Sequence, residues 1–281
     1  MSEKIVVSSE SSCDLSKELI DRYSVSILPL NITIGEDTYI DGVNLTARDI
    51  FSKVAATGVL PVTAAVSPFA FEQQFRELRK NADRVIHFSI SGKISSCYQN
   101  ACLAAEEVSG VDVIDSCSLS TGIGLLVLAA CEMIQEGKST DKIVARCREL
   151  TGKLDVSFIL GDLQYMYKGG RCSTVTMFGA NLLKLKPIIQ LKDGAMGVCG
   201  KYRGTMEHCI RQYVEERLAN ADPDPKRVFV TSTCLDDTYP GLTRSILEEK
   251  GIFQEILTTY AGCTVTSHCG KDTLGILFFQ K

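Results

Sequence analysis

The chain has 281 residues, enough for one large domain or two compact ones around a full hydrophobic core. Apolar residues make up 45% and charged residues 23%, which excludes the disordered, fibrous and coiled-coil classes. Thirty basic against thirty-four acidic side chains leave a net charge of −4 with no polybasic run, so nucleic acid is not an expected partner.

The first residues, Met-Ser-Glu-Lys-Ile-Val-Val, carry no apolar signal-peptide core, and a cytoplasmic protein is expected. Residues 4–8 form a short β-branched run, followed by a polar loop at 9–14 and a helical pattern at 16–23. Residues 84–89 and 111–115 repeat the theme, each an apolar run ending in a polar turn, with helical patterns at about 95–108 and 121–137. Strands that lead into helices imply βαβ units and a largely parallel sheet. In such sheets the loops after the strand C-termini form the natural site, and three of them, at 9–14, 91–96 and 116–121, are rich in serine. The longest charge-free stretch, residues 116–131, contains Gly122 and Gly124. It is too short to span a bilayer and reads as the start of a buried helix, so no stable membrane insertion is expected.

A second half begins near Val156, with a strand pattern at 156–160, a Lys168-Gly-Gly-Arg171 turn and a helical stretch at 175–183. Strand patterns at 186–191 and 196–202 flank Asp193-Gly194, a strong hairpin signal. Residues 205–219 read as helix, 222–226 as a proline-containing loop, and 228–232, 256–260 and 274–279 as strands. The expected fold is therefore two α/β lobes with a cleft between them. Residues 1–155 supply a mainly parallel sheet with helices, and residues 156–281 a mixed sheet with helices.

Charge is uneven. Residues 168–203 hold Lys168, Arg171, Lys184, Lys186, Lys192, Lys201 and Arg203 against a single acid, Asp193. That concentration suits an anionic ligand or an acidic partner surface, although long basic side chains also simply solubilise a hairpin. The twelve cysteines are scattered through apolar segments without a Cys-x-x-Cys pair, which excludes zinc-ribbon and thioredoxin-like sites. Most of them are expected to be reduced, buried small hydrophobes, and no metal or other cofactor is expected.

Nucleotide-binding glycine motifs, His-Glu-x-x-His and the Gly-x-Ser-x-Gly elbow are all absent. Ser139-Thr-Asp-Lys142 spells Ser-x-x-Lys but precedes an apolar helix pattern, where Ser139 reads as an N-cap. Of the three histidines, His87 lies in an apolar strand and reads as structural, and packing or solvent accounts for His208. His268 is placed in a loop before the last apolar run, and with Ser95 it sketches a hydrolase or transferase. Lys168–Arg171 sketches a phosphate or nucleotide site. Ser91-Gly-Lys-Ile-Ser95-Ser96 stands where a strand turns into a helix, a place where free N–H groups and the helix dipole favour an anion, or where serines merely cap.

Seven segments in order resemble the DegV family over nearly the whole chain, as one unit from about 4 to 280. Glu10-Ser-Ser-Cys-Asp-Leu15 is similar to its Asp-Ser-x-x-Asp-Leu loop, and Pro61-Val-Thr63-Ala-Ala-Val-Ser67-Pro68 to its Thr-Ser-Gln-Pro-Ser-Pro segment. Ile90-Ser-Gly-Lys-Ile-Ser95-Ser-Cys-Tyr-Gln99-Asn-Ala101 follows Ile-Ser-Ser-x-Leu-Ser-Gly-Thr-Tyr-Gln-Ser-Ala. Val113-Ile-Asp115-Ser116, Tyr167-Lys168-Gly-Gly-Arg171-Cys-Ser173 and Leu185-Lys186-Pro187-Ile188 come next. His268-Cys-Gly270-Lys-Asp-Thr273-Leu-Gly275 resembles the closing His-x-Gly-Pro-Gly-Thr-x-Gly. Departures are Ser96-Cys97 for Gly-Thr, Ala64-Ala65 for Ser-Gln and Lys271-Asp272 for Pro-Gly.

The resemblance implies a non-catalytic protein that holds a long-chain fatty acid between two α/β lobes, the tail in an apolar tunnel. It implies carboxylate contacts from Thr63, Ser95, the Ser96 amide and His268. It further implies contact of Lys168, Arg171 and Arg203 with a fatty acid kinase subunit, which phosphorylates the presented carboxylate for phospholipid synthesis.

Overall fold

The computed structural model describes residues 3–173 and 185–281. The helical stretch expected at 175–183 and Lys184 lie outside the described residues. The first half runs β1 (Ile5–Glu10), α1 (Lys17–Tyr23), β2 (Ser26–Leu28), β3 (Asn31–Ile34), β4 (Asp37–Ile40), α2 (Ala47–Thr57), β5 (Val62–Ala64) and α3 (Pro68–Arg79). It continues through β6 (Arg84–Ser89), α4 (Cys97–Glu106), β7 (Val111–Asp115), α5 (Thr121–Gln135) and α6 (Thr140–Thr151). Then follow β8 (Leu154–Ile159), α7 (Gln164–Gly169), β9 (Lys186–Lys192), β10 (Ala195–Tyr202) and α8 (Met206–Ala219). The chain closes with β11 (Pro223–Ser232), α9 (Thr238–Lys250), β12 (Glu255–Tyr260), α10 (Cys263–Cys269) and β13 (Leu274–Gln280).

The expected α/β architecture is present. A four-stranded parallel sheet has the order β2-β1-β6-β7, and a six-stranded mixed sheet the order β10-β9-β8-β13-β11-β12. Side chains alternate across the mixed sheet, as a two-residue period requires. Val228, Val230, Ile276 and Phe278 face α8 and α9 in one core, while Phe229 and Leu277 face α5 in another. Helix α5 is apolar all round and buried from Thr121 to Leu128, because it packs against both sheets, touching β1 and β6 on one side and β8 and β13 on the other. The cores of the two sheets are joined through it.

A third sheet, antiparallel with the order β4-β3-β5, was not foreseen from the sequence. Alternation in Asn31-Ile-Thr-Ile34, then Gly35 at φ +65° and a second extended run, is its hairpin signature. Two local expectations need correction. Residues 222–226 were read as a loop, but β11 starts at Pro223, which pairs with Gln280 before the register slips ahead of Val228. The irregularity accommodates both prolines, which have no N–H to give a regular ladder. His268 was read as a loop residue but lies in the last turn of α10. That helix is held by carboxylates remote in sequence, a support that local propensity does not reveal.

Other local readings stand. Asp193 and Gly194 take φ +51° and +79°, the pair of positive values a tight β9–β10 hairpin needs. Ser139 occupies the N-cap position of α6, although its side chain makes no capping hydrogen bond. Nine of the twelve cysteines are buried, while Cys102 and Cys117 are half-buried and Cys199 is exposed.

Candidate functional site

The loops after β6 and β7 meet β5, α7, the β10 strand and α10 around a cavity of about 440 Å³. Thr63, Ser95, Ser96 and His268 all line it, with Leu30, Ile90, Ile94, Leu119, Met166, Met196 and Val265 as its apolar walls. Sequence reasoning could not separate these apolar residues from ordinary core, since both are simply buried and apolar. At its inner end the cavity adjoins a small apolar pocket through the shared residues Leu119, Val265 and Cys269, with Phe158 and Leu277 beyond. At its other end Thr63, Arg171 and His268 also border a second space of about 270 Å³, lined by Val62, Tyr165 and Lys168.

Each polar group is set by its backbone. Thr63 is the middle residue of β5, paired with Ile32, which is fully buried in its own small core. Ser95 and Ser96 precede α4, and Ser96 at the N-cap gives that helix no side-chain hydrogen bond. The first turn therefore keeps backbone donors available at its positive end. Ser95 Oγ accepts the Cys97 N–H at 3.2 Å, which leaves the Ser95 hydroxyl proton uncommitted. Ser91 Oγ donates to the Gly194 carbonyl at 2.7 Å and ties this loop to the β9–β10 turn.

Thr63 Oγ1 and His268 Nε2 lie 2.8 Å apart. The other ring nitrogen, Nδ1, is shielded from water without a partner, and it faces Gly169, where a Cβ would sit only 2.6 Å from it. An orphaned N–H is rarer in interiors than an orphaned acceptor, which places the proton on Nε2, donating to Thr63 Oγ1. The Thr63 hydroxyl proton then points elsewhere, free for a ligand. Burial and, secondarily, the Arg171 guanidinium lower the His268 pKa from 6.5 to about 4, so the ring is neutral near pH 7. Two hydroxyl donors and the start of a helix thus line one cavity, with a neutral imidazole bracing Thr63. That set can hold an anion by hydrogen bonds rather than by an opposed charge.

The remaining basic residues are not gathered there equally. Arg171 lines the cavity and is exposed, its Nη1 donating to the Gly169 carbonyl at 2.7 Å. Lys168 is exposed at the outer space, and Lys93, which the sequence did not single out, lies on the cavity wall. Arg203 is exposed just after β10 and borders neither space. Ser95 and His268 make no hydrogen bond to each other, so the nucleophile–base contact of the hydrolase sketch is not formed. Among the described residues no cluster of His, Cys, Asp or Glu could hold a metal ion, and no helix is long and apolar enough to cross a membrane. At the closing loop, Asp272 takes φ +57° where the family pattern has glycine, a conformation aspartate tolerates.

With this geometry in place, comparison with known proteins is informative. The family model described as "Uncharacterised protein, DegV family" matches residues 4–281. A DegV domain-containing protein of Caldanaerobacter subterraneus is 31% identical, covering 99% of this chain and 100% of its own. Among solved structures, a fatty-acid-binding DegV family protein of Thermus thermophilus superposes with a TM-score of 0.91 at 31% identity, covering 99% of this chain and all of its own. DegV of Bacillus subtilis, a fatty acid binding protein, gives 0.87 at 25% identity over the whole of both chains. A stearic-acid-binding protein of Eubacterium ventriosum gives 0.87 at 25% identity over 98% of each.

Proposed function

The chain belongs to the DegV family, and from that premise we propose that it binds a long-chain fatty acid without catalysing its conversion. The carboxylate is held by the hydroxyls of Thr63 and Ser95 and the Ser96 amide, with His268 supporting Thr63. The tail runs past Leu119 and Val265 toward the pocket between Phe158 and Leu277. The observation that carries this reading is the meeting of two hydroxyls and a neutral imidazole on the wall of a cavity of about 440 Å³ that shares Leu119, Val265 and Cys269 with a small apolar pocket. Fatty acid binding by the Thermus and Bacillus relatives supports it.

The energetics are adequate. A tail of about 14 buried methylenes at about 0.8 kcal/mol each contributes on the order of 11 kcal/mol, of which association removes several. A buried carboxylate costs several kcal/mol unless it is hydrogen-bonded, and the hydroxyl and amide donors offset that cost. Held by hydrogen bonds, with Lys93 and Arg171 on the cavity wall rather than paired to it, the carboxylate stays nucleophilic. The proposal therefore extends to its presentation to a fatty acid kinase subunit at the face carrying Lys168, Arg171 and Arg203, in the cytoplasm. It also takes residues 1–155 and 156–281 as the two lobes, and the start of the mixed sheet at Leu154 supports that boundary.

Native mass spectrometry of the purified protein, followed by denaturation and solvent extraction, tests the central claim. A fatty acid that stays bound natively and appears in the extract is expected. A protein that is empty and also refuses added palmitate and oleate overturns the reading.

A further inference from the structure

We propose that Asp14 and Asp41 are positioning residues for the ligand cavity, two buried carboxylates that grip the first turn of α10 and set where Thr264, Val265, His268 and Cys269 face the ligand. The inference rests on the fatty-acid reading of the cavity and adds the device that keeps one of its walls in place.

Helix α10 is poorly equipped to form by itself. It has seven residues, three of the first four are β-branched, and its N-cap is Gly262, which offers no side-chain acceptor. Its free N–H groups are satisfied from the other half of the chain. Asp14 Oδ1 accepts the Gly262 N–H at 2.8 Å, and Asp41 Oδ1 accepts the Cys263 N–H at 2.7 Å. Asp41 Oδ2 accepts the Thr264 N–H at 3.1 Å and the Thr264 hydroxyl at 2.6 Å. Each carboxylate is anchored from behind, Asp14 by the Ser120 hydroxyl at 2.5 Å and Asp41 by the Ser11 hydroxyl at 2.9 Å. Space at Gly262 is tight: a Cβ would lie 3.1 Å from Asp14 Oδ1 and 3.3 Å from Asp41 Oδ1, so any larger residue must push the two carboxylates back. Four residues of the helix so held, Thr264, Val265, His268 and Cys269, line the cavity.

The grip responds to pH. Asp14 is faced by Cys13 from its own segment, by Asp41, and by Cys269 from α10, while Cys263 faces Asp41. Burial pushes the thiols of Cys13, Cys263 and Cys269 up to about 12, so they stay neutral. Burial, with Asp41 adding to it, raises the Asp14 carboxyl from 3.8 to about 7. The ionised carboxylate is the stronger acceptor for the Gly262 N–H. Burial outweighs that gain, so packing α10 over Asp14 favours its protonated form: a ligand that needs α10 in place binds better as pH falls through about 7, and by linkage the ligand favours proton uptake at Asp14.

The test is palmitate affinity at pH 6 and pH 8 for the wild type, Asp14→Asn, Asp41→Asn and Gly262→Ala. Asp14→Asn keeps an acceptor for Gly262 and gives Ser120 a donor, whereas Asp41→Asn replaces an acceptor or turns it away from the Thr264 donors. The wild type is expected to lose several-fold against Asp14→Asn between pH 6 and pH 8. Asp41→Asn and Gly262→Ala are expected to lose about tenfold or more at both. A wild-type to Asp14→Asn ratio that is the same at both pH values, with full affinity in Gly262→Ala, overturns the proposal alone. A wild type that takes no palmitate at either pH overturns the fatty-acid reading and this one with it. If a variant fails to fold, amide exchange in the wild type decides. Corrected for base catalysis, Gly262 and Cys263 should be better protected at pH 6 than at pH 8, and equal protection counts against the grip.

Discussion

His87 and His268 are both drawn into the interior, one in β6 beneath α3 and the other in α10 beside the cavity. His87 is fully buried, with Nδ1 2.9 Å from Ser8 Oγ and Nε2 3.5 Å from Glu10 Oε1. The rings of Phe71 and Phe75 meet it edge-on, with centroids 5.2 and 5.3 Å away. Glu10 is completed by the Ser89 hydroxyl at 2.5 Å and the Ile90 N–H at 3.1 Å. Ser8, His87 and Glu10 thus spell a hydrolase triad, yet none of the three is accessible and both ring nitrogens are engaged. His268 has one nitrogen on Thr63 and the other on nothing, and it borders open space. The difference teaches that residue types alone do not make a site. A satisfied, sealed network is architecture, whereas a ring that braces a hydroxyl at a cavity wall leaves that hydroxyl's proton for a ligand.

The largest test of that contrast is thermodynamic. His87→Ala empties a packed site and strips a partner from buried Glu10, so a loss of about 3–5 kcal/mol is expected in chemical denaturation. Surviving folded protein should bind fatty acid as the wild type does. His268→Ala should show the reverse pattern, with the smaller stability loss and the larger loss of ligand affinity. Equal stability losses at the two sites would erase the distinction.

The second is a pH dependence. Because the His268 pKa falls from 6.5 to about 4 on folding, the unfolded chain takes up the proton first as pH drops. The stability it contributes is present above pH 6.5 and is lost as pH falls toward 4, on the order of 3 kcal/mol. His268→Gln should flatten that part of the stability profile. Asp14 has the opposite sign: its pKa is raised, so its contribution is present below about pH 4 and lost as pH rises to about 7. An Asp14→Asn profile should therefore fall toward acid more steeply than that of the wild type.

At the ligand, Thr63→Val and Ser95→Ala each remove a hydrogen bond to an anion, worth about 1.5–3 kcal/mol, or roughly tenfold to over a hundredfold in affinity. Calorimetric titration with palmitate measures this, and undiminished affinity in both variants would remove the carboxylate from this end of the cavity. The smallest effect concerns Arg171, the lesser cause of the His268 shift. Arg171→Ala should move the imidazole titration upward by NMR while burial keeps it below 6.5. No movement would detach the guanidinium from the site.

Much of this was open to reading in the chain itself. The β6 and β7 strands, the Asp193-Gly194 hairpin and the apolar α5 follow from two-residue and helical periods and from turn chemistry, which are local. Thr63, Ser95, Ser96 and His268 were legible as a set only through family order, and the fold brings all four to one cavity. The small β4-β3-β5 sheet went unseen because its strands have only three or four residues each, too few for periodicity to stand out. Arg171, expected to face a partner, also lines the cavity that holds Thr63 and His268.

Local order along the chain determined the α/β class, the parallel and mixed sheets and the serine-rich loops after the strands, because these depend on neighbours within a few residues. Tertiary structure alone decided that Asp14 and Asp41 would cap α10, that His268 would be helical and neutral, and which apolar side chains would line space rather than fill it. The partners that make those decisions stand more than two hundred residues apart in sequence. Burial, which sets the charge of both His268 and Asp14, exists only once the chain has closed around them.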